Sequence, residues 1–434
     1  MKPLLMLMLS SIFSWPMQKA IWKWRERAQS FLNDPSKKSR VPQFILDSKH
    51  PWVVTNQKKL EQLPDAESYL CFSSRSATGG SELPIVAADE LEIPPDLFDY
   101  LEIANIKWPV SRPGWPNAFM RAQELSRCPA ALSQVKRFKA NVYVRHGLYD
   151  KWHQKVLEPQ LPPQEVVDLF VDVLNNMTSL ETLTWRIPQA YDEYFEERFT
   201  DRGLILPSVR TLDTNEANHY IVPTCPNITR LEYGSGIPWY GDGREDVPGS
   251  LFLRTTMFAP NITQLEMAAR RGWDQSKAQE LVSYMPGLRS FRMRGGLLNQ
   301  YTYNDHYGDS DGSALREILQ ILDSLQNLTQ LDLPLVAGLG VGFDGGPECG
   351  NAYFGPGGRE YEREVLRESL QATERAASIV VETLPRLTSF SIGDDQANIT
   401  RYENGTSRAT FPWTGRINEY VMELLPGGPD GPDW

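Results

Sequence analysis

The 434-residue chain has few of the side chains that hold metals or cross-link proteins, with only four cysteines and five histidines. Cys71, Cys128, Cys225 and Cys349 lie far apart in sequence, so none forms a C-x-x-C pair of the kind that binds zinc or carries redox chemistry. Widely spaced cysteines in a large chain are also typical of proteins in a reducing compartment. The sequence therefore predicts no metal, no cofactor and no disulfide framework.

Local catalytic motifs are also scarce. Gly340–Gly345 matches the pattern G-x-G-x-x-G, but a dinucleotide-binding fold needs a helix to begin at the third glycine. Pro347 and further glycines follow instead, which predicts an ordered loop. We therefore predict that the protein is not an enzyme. The alternative is a hydrolase whose site is assembled from residues distant in sequence.

Positive charge is outweighed by negative charge, with 44 basic and 55 acidic residues and a net charge of −11. Such a surface repels a phosphate backbone unless basic residues cluster, so we expect no nucleic-acid partner. The apolar stretch Leu4–Phe13 is too short to cross a bilayer, which needs about 20 residues. We predict a cytoplasmic or nuclear protein with no membrane contact. The alternative is secretion, with Leu4–Phe13 as the core of a signal peptide.

What the sequence does contain is a recurring phrase. A small or polar residue is followed by an apolar one, two variable ones, Leu or Phe, a variable one, and usually another apolar residue. The phrase begins at Ser179, Ser208, Asn227, Asn261, Gly287, Asn327 and Arg386, with a weaker first copy at Gln134. The period-two alternation within it, as at Leu231 and Tyr233, predicts a short strand with one buried face.

Prolines stand directly before five of these copies, where they end a preceding helix and favour an extended chain. These prolines are Pro207, Pro226, Pro260, Pro286 and Pro385. Stretches with helical spacing of apolar residues lie between copies, such as Gln164–Asn176 and Glu360–Leu384. This order predicts an α/β fold, an irregular leucine-rich-repeat-like solenoid with a parallel sheet and flanking helices. The alternative is an ordinary α/β domain in which the phrases coincide by chance.

The irregular spacing of the copies predicts insertions, because leucine-rich repeats usually step by about 20–29 residues. We expect insertions at Pro238–Phe258, Leu297–Ser313 and Pro334–Arg359. The predicted organisation has three parts. Residues 1–128 form a partly irregular N-terminal segment, residues 129–425 form the repeat domain, and residues 426–434 form a turn-rich tail.

Three features together resemble one family, the F-box-like leucine-rich-repeat proteins common in filamentous fungi. They are the repeated phrases, the loop Gly342–Tyr353 and the ending Phe411–Arg416, and the resemblance covers Pro129 to Pro426. It implies a substrate receptor of a cullin–RING ubiquitin ligase, bound to a Skp-type adaptor. The nearest match to the start of an F-box is Ile93–Leu101, which predicts a short, degenerate F-box-like helix near residues 93–101.

The outward-facing strand residues would form the binding surface of such a solenoid, on the concave face of its sheet. They carry charges of both signs, which suits a protein partner better than DNA or a small apolar ligand. These candidate partner-binding residues are Thr182, Thr184, Arg186, Asp213, Asn215, Arg230, Glu232, Gln264, Glu266, Arg292, Arg294, Gln330 and Asp332.

Asn-x-Thr sequons occur at Asn176, Asn227, Asn261, Asn327, Asn398 and Asn404. Three of them, at Asn227, Asn261 and Asn327, occupy the same place in the recurring phrase. We expect these three to begin strands and to carry no glycan.

Overall fold

The structure is a computed structural model, and it describes residues 99–104, 115–126, 129–142, 162, 164–187, 191–234, 249–269, 272–297, 311–347 and 350–430. The stretch Leu4–Phe13 and residues 93–98 of the F-box-like match lie outside the described residues. Within the described part of the chain, every helix is too short or too polar to cross a membrane.

A ten-stranded sheet organises the chain, and each strand lies beside the next one in sequence. Nine strands run parallel, and the short tenth strand is antiparallel to the ninth. The strands are β1 (Tyr100–Ala104), β2 (Arg137–Asn141), β3 (Thr182–Arg186), β4 (Thr211–Thr214), β5 (Arg230–Tyr233), β6 (Gln264–Ala268), β7 (Ser290–Arg294), β8 (Gln330–Leu333), β9 (Ser389–Ile392) and β10 (Asp395–Gln396). The fold is therefore α/β with a mostly parallel sheet.

The recurring phrase sets the register of this sheet. Its central apolar residue pairs with the same residue of the neighbouring copy, as Leu231 does with Leu212 and Leu265. The aligned residues are Leu101, Phe138, Leu183, Leu212, Leu231, Leu265, Phe291, Leu331 and Phe390, all of them buried. The prediction that the seven phrases form adjacent parallel strands is confirmed.

The turn before each strand repeats as well. The carbonyl oxygen two residues before the central residue accepts hydrogen bonds from two backbone N–H groups of the next copy. Thr229, for example, accepts from Thr263 at 2.9 Å and from Gln264 at 3.0 Å. This arrangement recurs at Asp99, Lys136, Glu181, Arg210, Thr229, Thr263, Arg289 and Thr329. Each phrase therefore builds the same turn and satisfies backbone groups that would otherwise be buried unpaired.

Helices follow most of the strands. The helices are α1 (Trp115–Ser126), α2 (Pro129–Leu132), α3 (Gln164–Asn175), α4 (Asp192–Asp201), α5 (Gly249–Thr255), α6 (Gln275–Tyr284), α7 (Ser313–Leu322), α8 (Gly358–Thr383) and α9 (Ile417–Leu424). Short 3-10 helices lie at Glu216–Ile221, Thr256–Phe258, Val336–Gly338 and Gly350–Tyr353. The buried residues of the longer helices join the buried strand residues in one core. The insertion expected at Pro238–Phe258 contains α5 and a 3-10 helix.

The sheet begins earlier than expected. Tyr100 and Leu101 lie in β1, whereas the F-box-like match predicts a helix at these two positions. Leu101 and Ile103 alternate with the half-buried Glu102, so period-two burial favours a strand paired with β2. The predicted boundary at residue 129 therefore divides a sheet that already includes Tyr100–Ala104.

The sequons within the phrase are also placed differently from expectation. Asn227, Asn261 and Asn327 lie in the turns before β5, β6 and β8 and do not begin these strands. Each strand starts three residues later, because the turn must first close onto the preceding copy. The threonine of the sequon contributes to that closure, since the Thr229 hydroxyl donates to the Arg210 carbonyl at 3.4 Å. Turn geometry therefore accounts for the repeated Asn-x-Thr pattern.

The C-terminal end of the described chain packs onto α8. A hairpin of β11 (Asn398–Arg401) and β12 (Ser407–Thr410) precedes α9. The predicted tail is held by contacts as well as turns, because buried Arg363 donates to the carbonyl oxygens of Leu425 and Gly427. The Asp430 carboxylate also accepts from the N–H of Gly357, at the N-terminus of α8.

Candidate partner-binding surface

The sheet face that points away from the core carries two parallel rows of polar residues, here called the polar face. Alternate residues of a strand point to opposite sides of a sheet, so the neighbours of each buried central residue share this face. The first row contains Tyr100, Arg137, Thr182, Thr211, Arg230, Gln264, Ser290, Gln330 and Ser389. The second row contains Glu102, Lys139, Thr184, Asp213, Glu232, Glu266, Arg292, Asp332 and Ser391.

Arg292 is the centre of an ion-pair cluster on the polar face. Its guanidinium lies 2.8 Å from Asp332 and 3.3 Å from Glu266, on the two neighbouring strands. Arg294 also contacts Glu266, at 3.0 Å, and the Ser391 hydroxyl donates to Asp332. The hydrogen bond to Asp332 raises the pKa of Arg292 above its ordinary value. Arg292 therefore stays charged, and the cluster joins four successive strands.

A second cluster lies on the strands nearer the N-terminus. Arg186 donates to both carboxylate oxygens of Asp213, at 2.8 and 3.0 Å. Gly234 leaves room for this arginine, because a Cβ at that position would lie 3.0 Å from the Arg186 guanidinium. Arg230 and Glu232, two residues apart on β5, form an ion pair at 2.7 Å. Charged residues of the polar face are therefore held in position by their neighbours.

Ten of the thirteen candidate partner-binding residues lie in the two rows of the polar face, and their role in binding stays a prediction. The structure brings Thr182, Arg230, Gln264 and Gln330 together in the first row, and Thr184, Asp213, Glu232, Glu266, Arg292 and Asp332 in the second. Arg186 and Arg294 lie two residues beyond the second row along their strands. Asn215 lies outside the strands, and its side chain accepts a hydrogen bond from the N–H of Asn218. It therefore caps the 3-10 helix Glu216–Ile221 and does not extend the rows.

Sequence reasoning missed the N-terminal part of the polar face. Lys139 on β2 lies 2.9 Å from Glu102 on β1, which extends the second row by two strands. The signal for β2 was present in the weaker phrase beginning at Gln134. The signal for β1 was the alternation of Leu101, Glu102 and Ile103, which no complete phrase accompanies.

A buried polar network lies beside the second cluster, directly after the end of β3. The Asn218 side chain accepts from the N–H of Ile187 at 2.7 Å and donates to the Ile187 carbonyl at 3.0 Å. It also donates to the buried carboxyl of Asp192. Burial raises the pKa of Asp192 to about 9, against the opposing effect of the Asn218 hydrogen bond. Asp192 is therefore uncharged at neutral pH and holds the segment that follows β3 in place.

No protein-family model matches the chain, and no curated protein matches it significantly. The resemblance to F-box-like proteins accordingly stays a prediction.

The described residues hold no group of three or more His, Cys, Asp or Glu side chains that could bind a metal ion. Burial raises the pKa of the Cys225 thiol to about 12, so this cysteine is not a thiolate at neutral pH. The Gly340–Gly345 loop is fixed from one side by Arg375, which donates to the carbonyl oxygens of Val341 and Gly342.

One motif escaped the sequence reasoning, because Gly308–Gly312 reads G-D-S-D-G and matches the pattern G-x-S-x-G. In hydrolases the serine of that pattern stands on a sharp turn directly between a strand and a helix. Here α7 begins at Ser313, and the nearest preceding strand among the described residues ends at Arg294. Ser310 itself lies outside the described residues, so this match does not support the hydrolase alternative.

Proposed function

We propose that the protein is a leucine-rich-repeat-like solenoid that recruits a protein partner through its polar face. The observation that carries this proposal is the register of the sheet, which aligns outward-facing side chains of nine strands in two continuous rows. The repeated turn from Asp99 to Thr388 supports a solenoid rather than a chance arrangement of phrases. An extended surface of this kind suits a folded or extended protein segment.

The charges on the polar face favour a protein over a nucleic acid. Basic and acidic side chains are interspersed on this face, and most of them are already paired with each other. A phosphate backbone would meet carboxylates at five of the nine positions of the second row, namely Glu102, Asp213, Glu232, Glu266 and Asp332. A protein partner with charges in the complementary order can bind without such repulsion, and the fixed order of charges gives specificity more than affinity.

The test is affinity purification of the full chain with matched charge-reversal variants. Arg292→Glu changes the polar face, and Arg316→Glu changes helix α7 at nearly the same side-chain exposure, 44% against 43%. We expect the wild type and Arg316→Glu to recover the same partners, and Arg292→Glu to recover at least tenfold less of them. Equal recovery by all three proteins would refute the polar face as the binding surface.

The same purification decides the ubiquitin-ligase hypothesis, which the family resemblance implies. Recovery of a Skp-type adaptor and a cullin with the wild-type chain would support a substrate receptor. If other partners are retained while the adaptor and cullin are absent, the protein is a structural interaction protein with no ubiquitin link. The contact with an adaptor would fall in or near Ile93–Leu101, most of which lies outside the described residues.

We further propose the cytoplasm or the nucleus as the compartment. Two sequon asparagines make the compartment testable. The Asn261 and Asn327 side chains lie exposed in turns, so they would be open to glycan transfer in a secretory pathway. Glycosidase treatment of native protein should leave its electrophoretic mobility unchanged. A mobility shift would instead support secretion with Leu4–Phe13 as a signal peptide.

A further inference from the structure

An open cavity of about 530 Å³ lies on the helical side of the sheet. It is bounded by α4 on one side and, on the other, by α5 and the 3-10 helix Thr256–Phe258. Its walls include the buried side chains of Phe199, Leu204 and Tyr220. Tyr220 belongs to the 3-10 helix Glu216–Ile221, so three elements meet around this space. The polar face and this cavity lie on opposite sides of the sheet, and they are independent surfaces.

The rim of the cavity is apolar and exposed. Ile205, Met257 and Phe258 line it with 55%, 57% and 56% of their surfaces accessible, and Leu251 stands beside them. A contiguous group of large apolar side chains in water is typical of an interaction site, whereas single exposed ones are ordinary. Here four such residues surround one cavity, so we infer that another molecule covers them.

Hydrogen-bonding groups in the cavity are few. The hydroxyls of Thr200, Thr224 and Thr255 donate to carbonyl oxygens of their own helices or turns. The Nδ1 atom of His219 is buried and has no hydrogen-bond partner. An occupant therefore needs mainly apolar groups.

Unpaired acidic residues flank the cavity along α4. Glu196 lines it, and Glu193, Glu197 and Asp201 are exposed on the same helix. The two basic residues near the end of α4 face α3 instead, because Arg198 pairs with Asp168 and Arg202 pairs with Asp172. Arg254 is the basic residue on the cavity wall itself. The surroundings are therefore mostly acidic, which favours an occupant with positive charge.

We propose that this cavity docks a peptide segment of a partner protein that presents two large apolar side chains beside lysine or arginine. The apolar side chains would enter between Ile205 and Phe258, and the basic residues would face Glu193, Glu196 and Glu197. A second copy of this chain fits less well, because a two-fold contact would bring the acidic α4 helices together. A membrane surface fits less well, because anionic lipids would meet the same carboxylates.

The test begins with a random 12-residue peptide library displayed on phage. It is selected on the full-length wild-type chain and counter-selected on the double variant Ile205→Ser, Phe258→Ser. Both residues are more than half exposed, so the variant should melt like the wild type. We expect enriched peptides with paired apolar residues and flanking lysine or arginine.

An enriched peptide is then synthesised and titrated by fluorescence anisotropy against matched variants. We expect at least tenfold weaker binding to Ile205→Ser, Phe258→Ser and to Glu193→Lys, Glu196→Lys. Met422→Ser, which changes an exposed apolar residue on α9, should bind like the wild type. Phe258→Ser alone should show an intermediate loss.

Other outcomes overturn the proposal. Failure of the library to enrich on the wild type over the double variant would show that the cavity docks no peptide. Enriched peptides that are acidic, or indifferent to the glutamate substitutions, would remove the basis for a cationic partner. A concentration-dependent dimer in sedimentation, lost in the double variant, would identify a second copy as the occupant. Because these variants leave the polar face intact, the outcome is separate from that of the Arg292→Glu test.

Discussion

The core is built differently at the two ends of the same sheet. Around β3 it consists of interlocking rings, with Trp185 lying 5.5 Å from Phe195 and 5.4 Å from Phe199 between ring centroids. Around β8 it consists of aliphatic and small residues from α7 and α8, such as Leu315 and Ala376. The same strand phrase therefore occurs with two kinds of packing. The phrase sets the register of the sheet, and the side chains of the helices determine which residues pack against it.

The difference has a structural consequence for each region. Large rings fill the space under β3 with few residues, so single truncations there should leave large voids. Small residues such as Ala372, Ala376 and Ala377 allow the 26-residue helix α8 to lie close to its neighbours. Many small contacts then share the packing energy. The predictions below follow from this contrast, from the largest expected effect to the smallest.

Trp185→Ala should have the largest effect. It removes ring contacts with Phe170, Phe195 and Phe199 and leaves the buried Tyr220 hydroxyl without its Trp185 donor. We expect the free energy of unfolding to fall by about 3–5 kcal/mol, measured by urea denaturation. A loss under about 1 kcal/mol would mean that the aromatic cluster does not hold this end of the sheet.

Leu331→Ala removes the corresponding central residue in the aliphatic region. Leu331 is fully buried between Phe291 and Phe390 on the neighbouring strands. We expect a loss of about 2–5 kcal/mol, at or below that of Trp185→Ala, in the same denaturation experiment. If Leu331→Ala were clearly the more damaging change, the contrast between the two cores would be reversed.

Arg363→Ala should loosen the C-terminal end. Arg363 is 4% exposed and donates to the carbonyl oxygens of Leu425 and Gly427. Losing these charged hydrogen bonds should cost about 1.5–3 kcal/mol, with faster amide exchange in α9 as the local signature. Arg367→Ala is the matched control, because among the described residues Arg367 forms its ion pair with the exposed Glu360 side chain, and its loss should cost about 1 kcal/mol or less. Equal effects of the two substitutions would contradict an anchoring role for Arg363.

Asp192→Asn tests the buried polar network of the aromatic region by its pH dependence. The folded-state pKa of Asp192 is about 9, above the unfolded value of about 3.9. Between about pH 4 and pH 9 the Asp192 carboxyl is therefore protonated in the folded protein and ionised in the unfolded protein. Wild-type stability should therefore fall as pH rises from about 4 to 9, and the asparagine variant should lack this fall.

The quantity to measure is the difference in the free energy of unfolding between the wild type and Asp192→Asn at each pH. At pH 4 they should unfold with nearly equal free energies, and at pH 7 the Asp192→Asn variant should be more stable by at least about 1 kcal/mol. Glu193 and Glu196, which also raise the pKa of Asp192, remain in both proteins and cancel in the comparison. An offset that does not change between pH 4 and pH 8 would contradict the raised pKa.

The strands were predictable because their pattern is local. Period-two alternation and a preceding proline suffice to locate β5 or β6, and a constant turn fixes their register. Strand β1 could not be found in this way, because Tyr100–Ala104 becomes a strand by pairing with β2 and has no complete phrase. The role of Asn215 was missed for a similar reason, since a helix cap depends on the φ and ψ angles of the turn.

The outward-facing residues of the polar face were predictable from the same alternation, but their partners were not. The contact of Arg292 with Asp332 joins residues 40 positions apart, and nothing local indicates it. The cavity beside α4 is still less visible in sequence, because Ile205 and Phe258 meet only after the intervening strands have formed. Long-range geometry of this kind follows from the register and from helix packing together.

The most direct test of the polar face is carboxylate footprinting of the protein with a partner recovered by affinity purification. Labelling by carbodiimide and glycine ethyl ester reports the accessibility of single acidic residues. We predict that binding protects Glu232, Glu266 and Asp332 and leaves Glu317 and Glu382, on helices α7 and α8, labelled as in the free protein. Protection of Glu317 and Glu382 without any change at the three strand carboxylates would show that the partner binds elsewhere.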